Sequence, residues 1–391
     1  MRIWLYAFAM AMPSPGLCAG NPPPAGISLF DQIFQVGDGG YRIPYPFSRL
    51  LEQLDLELAP SGSAGGLPAV LIPRGRSLQR DAARPDYYRF PRIVIALDRP
   101  GIRPRLVKNR LFLGFQEKAG TIEVISYNET AGRFEFQLVE NYADGQIPRV
   151  RYANRTLCTS CHQNAAPIFA RPLWRETNFD TGVAERIGEY RQRYHGIEVA
   201  RGEADRIDFA TDQANLLQAY QQVWQRGCPD RGCRAALFNA ALQRRLAAVS
   251  PGDYQWLPVE LELLASLRAN WARLWPDGMP VASADIDDRI AADGDDRLAP
   301  ELSPLAPRPA LTHWSYRSAA RRTIEGIGDQ FLPERDLERL RRLNREQAID
   351  KDQISAAVAR LAKSAQPDLF AGQPIQGIAL TRALMRELGY P

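Results

Sequence analysis

The sequence predicts an α+β fold, an antiparallel β-rich N-terminal region followed by a predominantly α-helical one. Three observations carry that reading. Between about residues 93 and 139 the apolar residues come in short β-rich runs separated by turn residues. After about Asp180 the apolar spacing takes a helical period. The composition, 45% hydrophobic and 24% charged over 391 residues, is that of a globular chain long enough for one large or two ordinary domains.

Residues 1–19 read as a signal peptide. Arg2 is the one charge there, and the apolar run 3–12 is too short to cross a bilayer. Pro13 and Pro15 break the run, and Ala19 offers a small residue for cleavage. The expected compartment is the periplasm or another exported location. No later stretch is long and apolar enough for a membrane span. The formal charge is +4, with forty-five arginines and four lysines scattered along the chain, so nothing points to nucleic acid.

Residues 20–150 form the β-rich region. Residues 20–40, rich in Pro and Gly, read as a loose leader, and a short helix over 48–58 follows, carrying Leu50, Leu51 and Leu54. The stretch 61–66 is flexible in composition. Strands are expected at 93–97, 111–115, 121–127 and 133–139, with 128–132 as a hairpin loop. In the last strand Phe134, Phe136 and Leu138 alternate with Glu135 and Gln137, which predicts one buried and one wet face. Residues 151–391 form the helical region. Leu216, Leu217, Tyr220, Val223 and Trp224 make one apolar stripe, and further helices are expected at 235–249, 258–274, 317–328, 334–344 and 351–363. A final helix carrying Leu380, Leu384 and Leu388 stops at Gly389. The acidic, Pro-rich stretch 279–309 reads as a surface connection whose Asp spacing does not fit a calcium loop.

Cys158-Thr159-Ser160-Cys161-His162 is the strongest chemical signal. C-x-x-C-H is the attachment pattern of c-type haem: two thiols three residues apart reach the two vinyl groups of one porphyrin edge, and the adjacent imidazole meets the iron from the same side. Such attachment is completed after export, which agrees with the leader. A thioredoxin-like dithiol, a zinc site and a plain Cys158–Cys161 disulfide are the competing readings. Pro167 interrupts the helix that the first needs, the second lacks nearby ligands, and the third leaves His162 unexplained.

On these five residues the chain resembles the c-type cytochromes. The resemblance implies that Cys158 and Cys161 bind one haem c covalently, that His162 is the proximal iron ligand, and that residues 151–391 are cytochrome c-like. The chain is much longer than a small cytochrome on both sides of the motif, and its single motif departs from two-haem peroxidases. The Pro167 or Pro172 carbonyl is a candidate partner for the His162 Nδ1–H. Phe169 and Trp174 are candidate porphyrin walls, and Arg155, Arg171 and Arg175 are candidate propionate partners. Met279, in a loop bounded by Gly278 and Pro280, is the expected sixth ligand by the same resemblance. His313, His195 and an open site are the alternatives; Met385 reads as core, and His195 as the end of a helix before Gly196.

Cys228 and Cys233, with Pro229, Asp230 and Gly232 between them, predict a disulfide-stapled corner. Nucleotide-binding, zinc-protease and serine-hydrolase patterns are absent from the sequence. The expected function is electron transfer by an exported mono-haem cytochrome with a redox partner protein. The alternatives are a haem c enzyme, peroxidase- or oxygenase-like, a gas or redox sensor with an open sixth iron site, and a non-haem protein whose cysteines form disulfides.

Overall fold

Ser28 caps the first helix, α1 (Leu29–Phe34), in a reciprocal capping box with Asp31. The stretch expected as a loose leader is therefore anchored from here. The computed structural model describes residues 23, 25–37, 39–60, 66–75, 79–162, 176–247, 256–281, 312–346, 348–364 and 368–390. The expected signal peptide, most of the stretch 61–66 and the acidic connection beyond 281 lie outside these residues. A two-residue ladder of β1 (Gln35–Val36) and β2 (Gly40–Tyr41) follows α1, and α2 (Phe47–Asp55) turns Phe47, Leu50 and Leu54 inward.

The chain then runs up and down through one six-stranded antiparallel sheet in sequence order: β3 (Ala69–Ile72), β4 (Arg92–Ala96), β5 (Leu111–Gln116), β6 (Thr121–Asn128), β7 (Arg133–Glu140) and β8 (Arg149–Tyr152). The four inner strands are those expected from the sequence. The outer two, β3 and β8, are additional. Gly114 lets the Arg92 guanidinium cross its strand to reach Glu123, because a Cβ there would lie 2.2 Å from an Arg92 nitrogen.

Both faces of the sheet are covered. Ala69, Leu71, Ile93, Ile95, Leu113, Phe115, Val124 and Val139 pack under α1 and α2, while Val70, Val94, Phe112, Tyr127 and Phe134 join the core of the helical region. The expected wet face of β7 is therefore buried: Glu135 is 3% exposed and Gln137 1%. Gln137 donates to Asp31 and accepts from the Ser28 hydroxyl. Asp31 also takes hydrogen bonds from Tyr41 and Tyr152, and burial together with the Asp31 charge pushes both phenols up, so they remain donors. Gln137 is buried because α1 and its cap bring polar partners to it, and Glu135 because Arg133 and Arg155 pair with it.

After the short helix α3 (Arg155–Cys161), α4 (Thr181–Gly188) and the hairpin of β9 (Arg193–Tyr194) and β10 (Ile197–Glu198) pack on the α1–α2 side, through Ile187, Tyr194 and Val199. The hairpin loop is His195-Gly196, both with positive φ, as a two-residue turn requires. His195 is thus a turn residue and not a helix end.

The opposite layer is helical: α5 (Ala204–Gln222), continued by a π-turn at Val223–Gly227, then α6 (Arg231–Leu246) and α7 (Pro258–Leu274). A small hairpin of β11 (Met279–Val281) and β12 (Thr312–Trp314) precedes α8 (Tyr316–Gln330), α9 (Glu334–Arg345), α10 (Lys351–Lys363) and α11 (Gly377–Glu387). Helices α5 and α8 touch at Gly326, where a Cβ would lie 2.2 Å from the Tyr220 ring. Sheet and helices share one core, so the β-rich and helical regions are layers of one fold. Arg110, 1% exposed, joins the layers: it lies between the rings of Tyr127 and Phe331, pairs with Glu129 and donates to the Gln330 carbonyl. Among the described residues no helix is long and apolar enough to cross a membrane.

Candidate functional site

The C-x-x-C-H motif leaves the sheet directly. Ala153 N–H donates to the Phe136 carbonyl, extending the β8 ladder by one step. Asn154 then caps α3, its side-chain oxygen accepting from the Leu157 N–H at 3.3 Å. Within the helix Cys158 N–H donates to the Asn154 carbonyl at 3.0 Å, and His162 N–H to the Cys158 carbonyl at 2.8 Å. Cys158, Cys161 and His162 therefore fall at i, i+3 and i+4, the spacing that brings helical residues to one face.

The surroundings explain why the helix stops at the sheet edge. β8 ends at Tyr152 opposite Gln137, whereas β7 runs on to Arg133. The Phe134 carbonyl is thus past the end of β8, and Arg155 takes the vacant donor place at 2.6 Å. The same guanidinium bonds Glu135 at 3.2 Å and lies over the Phe136 ring, 5.6 Å from its centroid. Burial, and next the neighbouring Arg133 charge, hold the Arg155 guanidinium below the usual arginine range; Glu135 and the Cys158 thiol act in the opposite sense. Arg155, which the sequence suggested for a haem propionate, is instead committed to the sheet.

The His162 ring packs on Phe136, centroids 5.2 Å apart. Phe136 is 6% exposed, on the sheet face that carries Phe134 toward the helical layer. Cys158 and His162 are both half-buried, and Leu157, just before Cys158, is exposed. The Cys161 side chain and residues 163–175 lie outside the described residues. The expected roles of Pro167, Phe169, Arg171, Pro172, Trp174 and Arg175 fall there.

The other candidate ligands are elsewhere. Met279 is fully buried in the helical core, paired with Trp314 across the β11–β12 ladder. His313, opposite Pro280 in the same hairpin, is exposed. His195 packs edge-on to Phe47 and Phe115, and its Nε2 lies 3.5 Å from Glu117, whose carboxyl is held low first by that histidine and then by Arg191. These neighbours belong to the α1–α2 face, so the sheet stands between His195 and His162. Met385 is a core residue, as expected.

The second cysteine pair is a disulfide. Cys228 and Cys233, with Cα atoms 5.3 Å apart, join the end of the π-turn to the first turn of α6, and both are buried. Arg234 beside them donates to the carbonyls of Trp224, Gln225, Cys228 and Phe370, a role for which the sequence held no local signal.

Among the described residues no three His, Cys, Asp or Glu side chains converge as a metal cluster. No family model, curated protein or solved structure matches the chain.

Proposed function

We propose that this chain is an exported mono-haem c-type cytochrome in which Cys158 and Cys161 hold the haem by thioether bonds and His162 is the proximal iron ligand. The observation that supports it is the placement of the motif on one face of a capped helix, where a thiol and the imidazole sit one turn apart and half exposed. Two thiols with one imidazole are the donor set that haem c takes. The group, once bound, supplies reversible one-electron chemistry at the iron. This chain's residues would do the rest. Cys158 and Cys161 would each hold one vinyl group as a thioether, the thiol proton passing to the adjacent vinyl carbon. Phe136 backs the imidazole, and Asn154 and Arg155 fix the helix on the sheet edge. A redox partner protein would take or deliver the electron.

Production with the cytochrome c maturation machinery, followed by a denatured pyridine haemochrome spectrum, tests this reading. Covalent haem in the wild type and its loss in Cys158→Ala/Cys161→Ala are the expected results; wild-type protein without covalent haem overturns it. Met279 as the sixth ligand is a separate part of the proposal. Its burial already gives it a packing role, and Met279→Ala removes about 2–5 kcal/mol through the cavity alone. Ligation predicts in addition that the ferric haem of this variant turns high-spin. An unchanged spectrum leaves Met279 to packing.

A further inference from the structure

A cleft of about 280 Å³ opens between the loop over residues 100–108, the α8–α9 corner and α11, well apart in the chain from the cysteine motif. Its charges are unevenly used. Each carboxylate on its wall is engaged: Asp329 by Arg245 at 2.8 Å, Glu334 by Arg245 and Arg341 at 2.6 Å, and Asp336 by the Thr381 hydroxyl at 2.8 Å. Three cations on the same wall, Lys108, Arg335 and Arg382, have no hydrogen-bond or ion-pair partner among the described residues. They come from three different elements, so no single helix periodicity places them together. The twelve-residue α9 also begins here. Its own first-turn carboxylates, Glu334 and Asp336, answer the helix end, so the positive potential of the cleft comes from the three cations.

The geometry points to a binding site for a small phosphate-bearing ligand, a phosphate monoester in solution, held by Lys108, Arg335 and Arg382. Arginine forks match phosphate oxygens in pairs, and lysine adds a point charge. The volume is at the lower end of small-molecule sites, roughly 300 Å³, which suits a ligand little larger than its phosphate. Such a ligand would tie the 100–108 loop of the sheet layer to α9 and α11 of the helical layer. This site owes nothing to haem, and it stands or falls separately from the electron-transfer proposal.

Titration calorimetry of the full chain with inorganic phosphate, repeated at matched ionic strength with chloride, tests it. Phosphate is expected to bind and chloride not. Arg335→Ala and Arg382→Ala, both exposed positions that leave the core intact, should each weaken phosphate about ten-fold, in line with the loss of one charge-assisted contact. Three outcomes overturn the assignment: no phosphate binding by the wild type, equal binding of chloride, or affinity unchanged in the double variant. Binding to phosphatidic-acid vesicles without binding to inorganic phosphate would overturn it as well, since that marks a membrane surface and not a small-molecule site.

Discussion

The two cysteine pairs of this chain occupy opposite surroundings. Cys228 and Cys233 are bonded to each other inside the helical layer, enclosed on all sides. Cys158 lies half exposed on a seven-residue helix at the open end of β7, with His162 one turn on. An arginine attends each site and gives a donor to at least one backbone carbonyl. Arg234 is 6% exposed, bonds four carbonyls and, among the described residues, has no carboxylate bonded to it; burial lowers its pKa first, with Asp230 and Asp368 opposing. Arg155 bonds one carbonyl and the Glu135 carboxylate. The enclosed pair is architecture, and the attended arginine there closes a helix end. Arg155 instead anchors the helix that carries the half-buried Cys158 to the sheet edge.

The comparison can be broken by removing each part. Arg234→Ala should have the largest effect, about 3 kcal/mol in urea denaturation, because four carbonyls lose a charged donor where water cannot replace it. A loss under about 1 kcal/mol would show that the helix end relaxes to satisfy itself. Cys228→Ala/Cys233→Ala should come next at about 2 kcal/mol, the value for a short closed loop, with amide exchange across α3 unchanged. Faster exchange across α3 in this variant would deny the separation of the two pairs. Arg155→Ala should cost only about 1 kcal/mol, since Glu135 keeps its pair with Arg133. Its sharper readout is amide exchange across α3, expected to quicken while the α6 amides stay protected.

Glu117 gives the smallest effect and serves as a control on the far sheet face. Its folded pKa is lowered by His195 and Arg191, so its contribution to stability is present above about pH 4.5 and is lost as the pH falls below that value. Glu117→Gln should therefore flatten the acid limb of the stability curve while leaving α3 exchange unchanged. An acid limb identical to that of the wild type would remove Glu117 from the account.

What the sequence showed and hid follows from where the determinants lie. The inner strands β4–β7 and most helices are long or periodic enough to be read locally, and the Cys228–Cys233 corner was legible in its Pro, Asp and Gly. β3 is four apolar residues buried on both faces, which has no period to recognise. β8 offers one apolar residue, Val150, among two arginines and a tyrosine. The dry polar face of β7 depends on Ser28 and Asp31, about a hundred positions upstream. The cysteine motif was visible as a string of five letters. That its helix is pinned by Arg155 could not be, because the vacancy it fills exists only where β8 stops short of β7.

The margins of the sheet have a consequence for crowded conditions. On the β3 side, Leu71 exchanges hydrogen bonds with Asn178, the Ala69 carbonyl accepts from the Glu203 N–H, and Pro68 and Pro73 bracket the strand. On the other side β8 is four residues long and carries Arg149 and Arg151. Neither margin offers a long, flat, uncharged template to a strand from another molecule. A strand from a second copy of this chain therefore finds no ready main-chain zipper along either margin of the six-stranded sheet.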